Sequence, residues 1–192
     1  MPQDNTYGTY HLADNPALYD PMRNNTFEFV VTGLDKLLRV GADGSEENAY
    51  ITNAQEVLRL SVDSASIPMF TQEVIPVKRG NSTIKFAGTP SFASGSLVVN
   101  DWIGADSKSA LMAWQNLSYN VKTDRVGNAA DYKKDCWLIE YTPDYTKQVR
   151  QWQLKGCFIS GLSEDAYSMS SDGKKTISAT IEYDRAIMSL PD

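Results

Sequence analysis

The most regular alternation in the chain is Thr176-Ile177-Ser178-Ala179-Thr180-Ile181-Glu182-Tyr183. Every second side chain is apolar, which predicts a half-buried β-strand with one face on a hydrophobic core. The opposite face is small and polar and consists of Thr176, Ser178, Thr180 and Glu182. It either meets bulk water on a monomer or lines a wet internal surface.

Similar patterns on both sides of this segment predict a mainly β chain. Further strands are expected at about 26–32, 58–62, 82–87, 92–100, 136–141 and 149–159. One helix is expected at about 106–119, where apolar residues recur at three- and four-residue steps around a core Trp114. The predicted fold class is an antiparallel β-sandwich or barrel with one flanking α-helix.

Residues 64–80 predict a protruding hairpin. Pro68 and Pro76 cannot donate to a sheet ladder, so this segment is not a simple central strand. The segment is nevertheless rich in apolar residues, which a protruding hairpin would expose: Met69, Phe70, Val74, Ile75 and Val77. An isolated monomer would aggregate through such a protrusion, which favours a partner surface. The alternative is that the segment folds back over its own core.

The chain divides into an arm and one domain. Residues 1–25 are rich in Asn, Asp, Pro and Tyr without apolar periodicity, which predicts an extended N-terminal arm. Residues 26–192 are expected to form the single β-sandwich domain. Within it, the acidic, Gly-containing stretch 41–56 is interpreted as a surface insert in loop conformation.

Composition excludes several classes of function. The chain has 192 residues and a net charge of −6, so neutralisation of phosphates cannot drive sequence-specific nucleic-acid binding. No apolar run approaches the roughly 20 residues that a membrane helix needs, and no membrane insertion is expected. The polar first residues lack a signal-peptide pattern, so we expect synthesis and assembly in a cytoplasm.

Catalytic and metal-binding motifs are absent from the sequence. The single histidine, His11, excludes two-histidine metal sites, and no phosphate-binding glycine motif is present. No catalytic residue, metal or cofactor is therefore predicted. The face formed by Thr176, Ser178, Thr180 and Glu182 has no basic residue, but Arg59 and Lys155 are predicted on comparable faces of other strands. Each of these two basic side chains could pair with Glu182 or another acid.

The two cysteines are predicted to be reduced. Strict alternation places Cys157 on the polar face of its strand, and counting from the turn pairs Cys136 with a position near residue 153. A disulfide would therefore need a shift in register.

The order of these elements resembles the tail tube proteins of contractile-tailed bacteriophages, whose fold is shared with type VI secretion and contractile bacteriocin tubes. The resemblance covers roughly residues 26–188 and rests on an ordered set of segments rather than one motif. The segments are Ser66-Ile67-Pro68, Lys78-Arg79-Gly80-Asn81, Val99-Asn100-Asp101, Ala113-Trp114, Trp152-Gln153-Leu154-Lys155-Gly156-Cys157-Phe158-Ile159 and Ile181-Glu182-Tyr183-Asp184-Arg185-Ala186.

The resemblance implies a structural subunit of a virion tail. Hexameric rings would stack into an inner tube whose lumen passes the genome. The lumen would contain a tape-measure protein and then DNA. The sheath would surround the tube, and a baseplate and a terminator would lie at its ends. The protruding hairpin at 64–80 would reach the adjacent ring, and Phe70→Asp would leave a folded subunit that does not polymerise. Thr176, Ser178, Thr180 and Glu182 would line the lumen. A lumen wall with few basic side chains would adhere little to DNA, because it makes few contacts with phosphate.

Other functions remain open at this stage. The chain could be a tube initiator, a terminator or a secreted tube protein of the same fold. It could also be a monomeric ligand-binding β-sandwich that uses Trp102, Trp137 or Tyr145 as stacking surfaces. An enzyme is the class with least support, because no nucleophile is accompanied by a base.

Overall fold

A computed structural model of the chain describes residues 21–34, 37–40, 46–51, 53–170 and 172–190. The elements in chain order are β1 (Phe27–Val31), β2 (Leu37–Val40), β3 (Glu46–Ile51), α1 (Ala54–Ser61), β4 (Val62–Ala65), β5 (Phe70–Arg79), β6 (Ser82–Phe92), β7 (Gly95–Asn100), α2 (Ser107–Ser118), β8 (Tyr119–Asn120), β9 (Arg125–Val126), α3 (Ala129–Tyr132), β10 (Lys134–Tyr141), β11 (Gln148–Glu164), β12 (Thr176–Glu182) and β13 (Arg185–Ser189).

Two antiparallel sheets share the 17-residue strand β11. The first sheet has the order β1-β10-β11-β13 and uses the first half of β11. The second has the order β11-β12-β7-β4 and uses its second half. This arrangement confirms the predicted mainly β, antiparallel sandwich with a flanking helix.

A bulge at Gly156 allows one strand to serve both sheets. Gly156 has φ of +69°, a left-handed conformation that favours glycine, and the register of β10 against β11 shifts between Lys134 and Cys136. The bulge also reverses the alternation of β11. Leu154 and Cys157 are therefore both buried, whereas strict alternation would place them on opposite faces.

The core lies between the sheets and under the predicted helix, which spans 107–118. Alternate residues of β12 enter the core, and Trp114 of α2 is completely buried. The indole Nε1 of Trp114 donates to the Tyr132 carbonyl oxygen at 3.0 Å, which satisfies the one polar atom of that side chain. The prediction that Trp114 is a core residue is confirmed.

The strand predicted at 58–62 is wrong, because residues 54–61 form helix α1. Alternation of Leu58, Leu60 and Val62 suggested the strand. In the structure Ala54, Leu58 and Ser61 are buried at helical spacing, while Leu60 is 66% exposed. Only the end of the predicted segment, Val62, belongs to a strand, β4.

The surface loop predicted at 41–56 is also wrong, because this stretch contains a strand and the start of a helix. Strand β3 occupies 46–51 and pairs with β2, and helix α1 begins at Ala54. Ile51 and Ala54 are buried, so this stretch contributes to the core. Of the predicted arm 1–25, residues 21–25 are described and exposed, and residues 1–20 lie outside the described part of the chain.

Candidate assembly surfaces

The predicted protruding hairpin is present but longer than expected. Strands β5 and β6 pair with each other from Phe70↔Phe92 to Arg79↔Ser82 and turn at Gly80-Asn81. The sequence predicts a separate strand at 82–87, joined to the strand at 92–100 through a turn at Gly88-Thr89-Pro90. In the structure that turn is a bulge within β6, between the pairs Gln72↔Pro90 and Val74↔Ala87.

The hairpin is exposed along its whole length. All ten residues of β5 and all of β6 except Gly88 and Phe92 are exposed. A two-stranded ribbon is marginally stable by itself, and apolar side chains on both of its faces are costly in water. The hairpin is therefore an exposed surface with apolar side chains, of the kind that marks interaction sites.

The five predicted interface residues do not lie on one face of the ribbon. Ile75 and Val77 pair with Phe86 and Ile84 and form an apolar face near the turn, here called the tip face. Phe70 and Val74 lie on the opposite face, nearer the base. Met69 precedes the strand and is exposed.

Ile84 and Phe86 were missed from the sequence, although they are 41% and 54% exposed. The sequence predicts a hairpin that ends at residue 80, which places both residues in the separate strand at 82–87. Their alternation, which continues that of Ile75 and Val77 across the turn, was the signal for them.

The base of the hairpin is fixed to the sandwich. The Phe92 ring lies between Phe70, at a centroid distance of 5.8 Å, and Tyr183, at 5.9 Å. Burial raises the pKa of Tyr183. The Ser66 amide donates to the Ser96 carbonyl oxygen at 2.8 Å, which ties the entering chain to the start of β7.

The four predicted lumen residues share one face, as their alternation requires. Ile177, Ala179 and Ile181 are buried, so Thr176, Ser178, Thr180 and Glu182 point to the other side of the second sheet. Neighbouring strands extend this surface mainly with small or polar side chains, and the apolar Val98 on β7 and Phe158 on β11 also lie on it, opposite Ser178 and Glu182. We call it the polar face; besides those four residues it includes Ser96 and Asn100 on β7 and Ser160 and Ser163 on β11.

The polar face is devoid of basic strand residues. The segments that form the second sheet, 62–65, 95–100, 158–164 and 176–182, contain Asp63, Glu164 and Glu182 but no Lys or Arg. The Arg59 guanidinium is in α1 and pairs with Glu28 at 3.3 Å. Lys155 lies on the first half of β11, so neither predicted exception belongs to this face.

The end of the sandwich remote from the hairpin is acidic and rich in ion pairs. Glu164 accepts from Lys108 at 2.6 Å and from Lys175 at 3.0 Å, and these hydrogen bonds lower the pKa of its carboxyl. At the same end, Lys174 lowers the pKa of Asp63. The Thr176 hydroxyl and amide lower that of Asp165.

Two loops project from this end, one at 101–106 after β7 and one between β11 and β12, described at 165–170 and 172–175; together we call them the end loops. Their bases are joined where the Asp101 amide donates to the Lys175 carbonyl oxygen at 3.0 Å. Ile103 and Met169 are fully exposed, Tyr167 is 87% exposed and Trp102 is more than half exposed. The sequence had considered only Trp102 among these, as a stacking surface.

Both cysteines are buried free thiols. Cys136 pairs with Leu154, one position from the predicted partner, and Cys157 enters the core because of the bulge at Gly156. Cys136 and Cys157 form no disulfide, in agreement with the predicted reduced thiols, and the placement of Cys157 on the polar face is wrong. Burial raises the pKa of the Cys136 thiol well above its usual value.

One concave surface is a cleft of about 340 Å³ at the open edge of the sandwich between β1 and β4. Phe27, Ala65 and Leu138 line it, together with the ion pair of Arg150 and Glu140 at 2.7 Å. A neighbouring concave surface of about 410 Å³ includes Glu28 and Arg59, and of the proposed stacking residues only Tyr145 lines either of these two surfaces. Trp102 lies on an end loop, Trp137 on β10 and Tyr145 in a turn, where the Tyr145 hydroxyl donates to the Asn25 carbonyl oxygen at 2.7 Å.

The described residues contain no cluster of three or more His, Cys, Asp or Glu side chains arranged to hold a metal. In the same part of the chain, no helix has the length and apolar character needed to cross a membrane.

Comparison with solved structures identifies the fold. A chain of the sheath–tube complex of the PVC extracellular contractile injection system, in its extended state, matches with a TM-score of 0.62 and 18% identity, over 91% of this chain and 95% of that one. The tube-terminating cap of the anti-feeding prophage matches with a TM-score of 0.62 and 16% identity, over 90% and 93%. The PVC sheath/tube terminator gives 0.61 and 19%, over 89% and 98%.

The chain therefore has the fold of contractile tail tubes, and the predicted resemblance is confirmed at the level of fold. No protein-family model matches the sequence, and no curated protein matches it significantly.

Proposed function

We propose that the chain is the subunit of a bacteriophage tail inner tube, built from stacked hexameric rings whose lumen passes the genome. The observation that carries this proposal is the exposed hairpin, with apolar side chains on both of its faces, on a tube fold. A hairpin of this composition requires a partner surface, and a second ring of the same subunit supplies one at high local concentration.

The polar face supports a channel role. Joined edge to edge around a ring, six copies of the second sheet would form a barrel whose wall carries Thr176, Ser178, Thr180 and Glu182. A wall without Lys or Arg on its strands makes no strong contacts with phosphate, so DNA slides through it without salt-dependent adhesion. The tube would contain the tape-measure protein before the DNA.

The other expected partners follow from the tube role. A sheath would surround the tube, and a baseplate and a terminator would close its ends. The subunit would be assembled in the host cytoplasm and reside in the virion tail. This role is structural and involves no catalysis, cofactor or metal.

A second candidate is a tube terminator, because two of the matched structures are described as a tube-terminating cap and a sheath/tube terminator. A terminator forms one ring and stops, whereas a tube subunit stacks without limit. Growth of the assembly with concentration separates the two.

The test is negative-stain electron microscopy of the purified chain over a concentration series, alongside Phe70→Asp and Phe86→Asp. Val121→Asp is the matched control, because Val121 is 74% exposed and lies outside the hairpin. We expect hollow rings and stacked tubes for the unmodified chain and the control, and folded but unstacked subunits for the hairpin variants. Long tubes from both hairpin variants would refute the assigned interface, and rings that never stack would favour the terminator.

A further inference from the structure

We propose that the end loops are the surface that receives the hairpin of the next copy, so that the chain stacks head to tail through two different patches. This inference rests on the proposed function and adds its second interface. It follows from the placement, the exposure and the charge of the two regions.

The two patches lie at opposite ends of the second sheet. The hairpin base contacts the sandwich beside Gly95 and Tyr183, whereas the end loops leave from Asn100 and Thr176. Strand β12 runs between these ends with Thr176 opposite Asn100 and Ile181 opposite Gly95. Its seven residues span roughly 20 Å at the usual rise per residue.

Both patches are apolar and exposed. The tip face presents Phe86 and its neighbours, and the end loops present Trp102, Ile103, Tyr167 and Met169. Exposed apolar patches mark interaction sites. When two different patches lie at opposite ends of a subunit, contact of one with the other on the next copy produces an open stack.

The charges of the patches are complementary. The hairpin, residues 70–92, carries Lys78, Arg79 and Lys85 against Glu73, a net charge of +2. The end loops carry a net charge of −2, from four Asp against Lys174 and Lys175, and the adjoining Glu164 is offset by Lys108. Opposite charges favour hairpin-to-end contact and oppose hairpin-to-hairpin and end-to-end contact, which fixes the polarity of the stack.

The experiment uses complementation between two variants. Ile103→Asp/Met169→Asp alters the end loops and keeps the hairpin, and Phe86→Asp alters the hairpin and keeps the end loops. The control is Val121→Asp/Val126→Asp, which adds two charges at exposed apolar positions elsewhere. Sedimentation velocity and electron microscopy are applied to each variant alone and to a 1:1 mixture, and unchanged thermal melting confirms that each is folded.

We expect each variant alone to lose stacking and the mixture to form a two-layer product that does not grow, because only one intact hairpin-to-loop interface can form. The control should stack like the unmodified chain. If the end-loop variant stacks normally while Phe86→Asp does not, the end loops are not the receiving surface, although the proposed tube function stands. If both variants stack normally, or the unmodified chain does not stack, this inference fails together with the proposed function.

Discussion

Gly156 fixes the path of the longest strand. Its φ of +69° is disfavoured for any side chain, and a Cβ there would clash with Asp184 Oδ2. Relief of this clash requires movement of the Asp184 side chain, which forms an ion pair with Lys133 Nζ at 2.8 Å.

We therefore predict that Gly156→Ala lowers the free energy of unfolding by about 1–3 kcal/mol, through backbone strain and the clash with Asp184. Gly104→Ala is the control, because nothing lies within 4 Å of its added Cβ and its φ is not positive. Urea denaturation of both variants measures the difference. Equal stability of the two would show that the bulge does not depend on glycine.

The thiols provide a second prediction at this scale. Because Cys136 and Cys157 are both fully buried, a thiol reagent at pH 8 should react only as the chain unfolds. The expected result is two reactive thiols per chain in denaturant and almost none in the native state. Fast native labelling, or a loss of thiols without reductant, would contradict the buried, reduced pair.

Helix α2 is the element that closes the core. Trp114 is fully buried and its indole donates to Tyr132, so Trp114→Ala should lower the free energy of unfolding by about 3–5 kcal/mol. Met112→Ala on the same helix, at a half-buried position, is expected to lower it less. Thermal and urea denaturation test this order, and a larger effect at Met112 would refute the packing described.

Local patterns predicted some elements and failed for others for physical reasons. The apolar residues of β12 alternate and those of α2 recur at helical spacing, and in both elements the structure buries the residues that this spacing predicts. At 54–62 the apolar residues fit both a helix and a strand, and packing of Leu58 against the core selects the helix. The bulge at Gly156 depends on pairing with distant strands, which no local pattern encodes.

The candidate surfaces were predicted to different extents. The four polar residues of β12 follow directly from alternation, and the structure places them on one face. The hairpin was recognised by its prolines, but its second arm was lost because a bulge at Gly88 looks like a turn in the sequence. The end loops have no periodicity, so only the fold reveals that they oppose the hairpin.

For the whole molecule, the carboxylates at the loop end predict acid sensitivity. The folded-state pKa of Glu164, Asp63 and Asp165 is lowered by their hydrogen bonds, so each contributes stability only when ionised. That contribution to stability is complete above about pH 5, which exceeds the pKa values of these groups in the unfolded chain. It is lost as the pH falls through their lower pKa values in the folded chain. Melting temperature should therefore decrease from pH 5 to pH 2.

Glu164→Gln should reduce this decrease, because it removes one of the titrating groups. Glu56→Gln, which changes an exposed carboxylate of helix α1, is the charge-matched control. Identical pH profiles for the unmodified chain and Glu164→Gln would show that the cluster around Glu164 does not contribute to stability.

The central claim is that copies of this chain join into a tube lined by the polar face. Cryo-electron microscopy of the assembled protein, with helical reconstruction, tests it most directly. We expect a hollow tube with Thr176, Ser178, Thr180 and Glu182 on the lumen wall and the hairpin buried between rings. A filament with the polar face outside, or a uniform monomer of 21.3 kDa at every concentration, would contradict it.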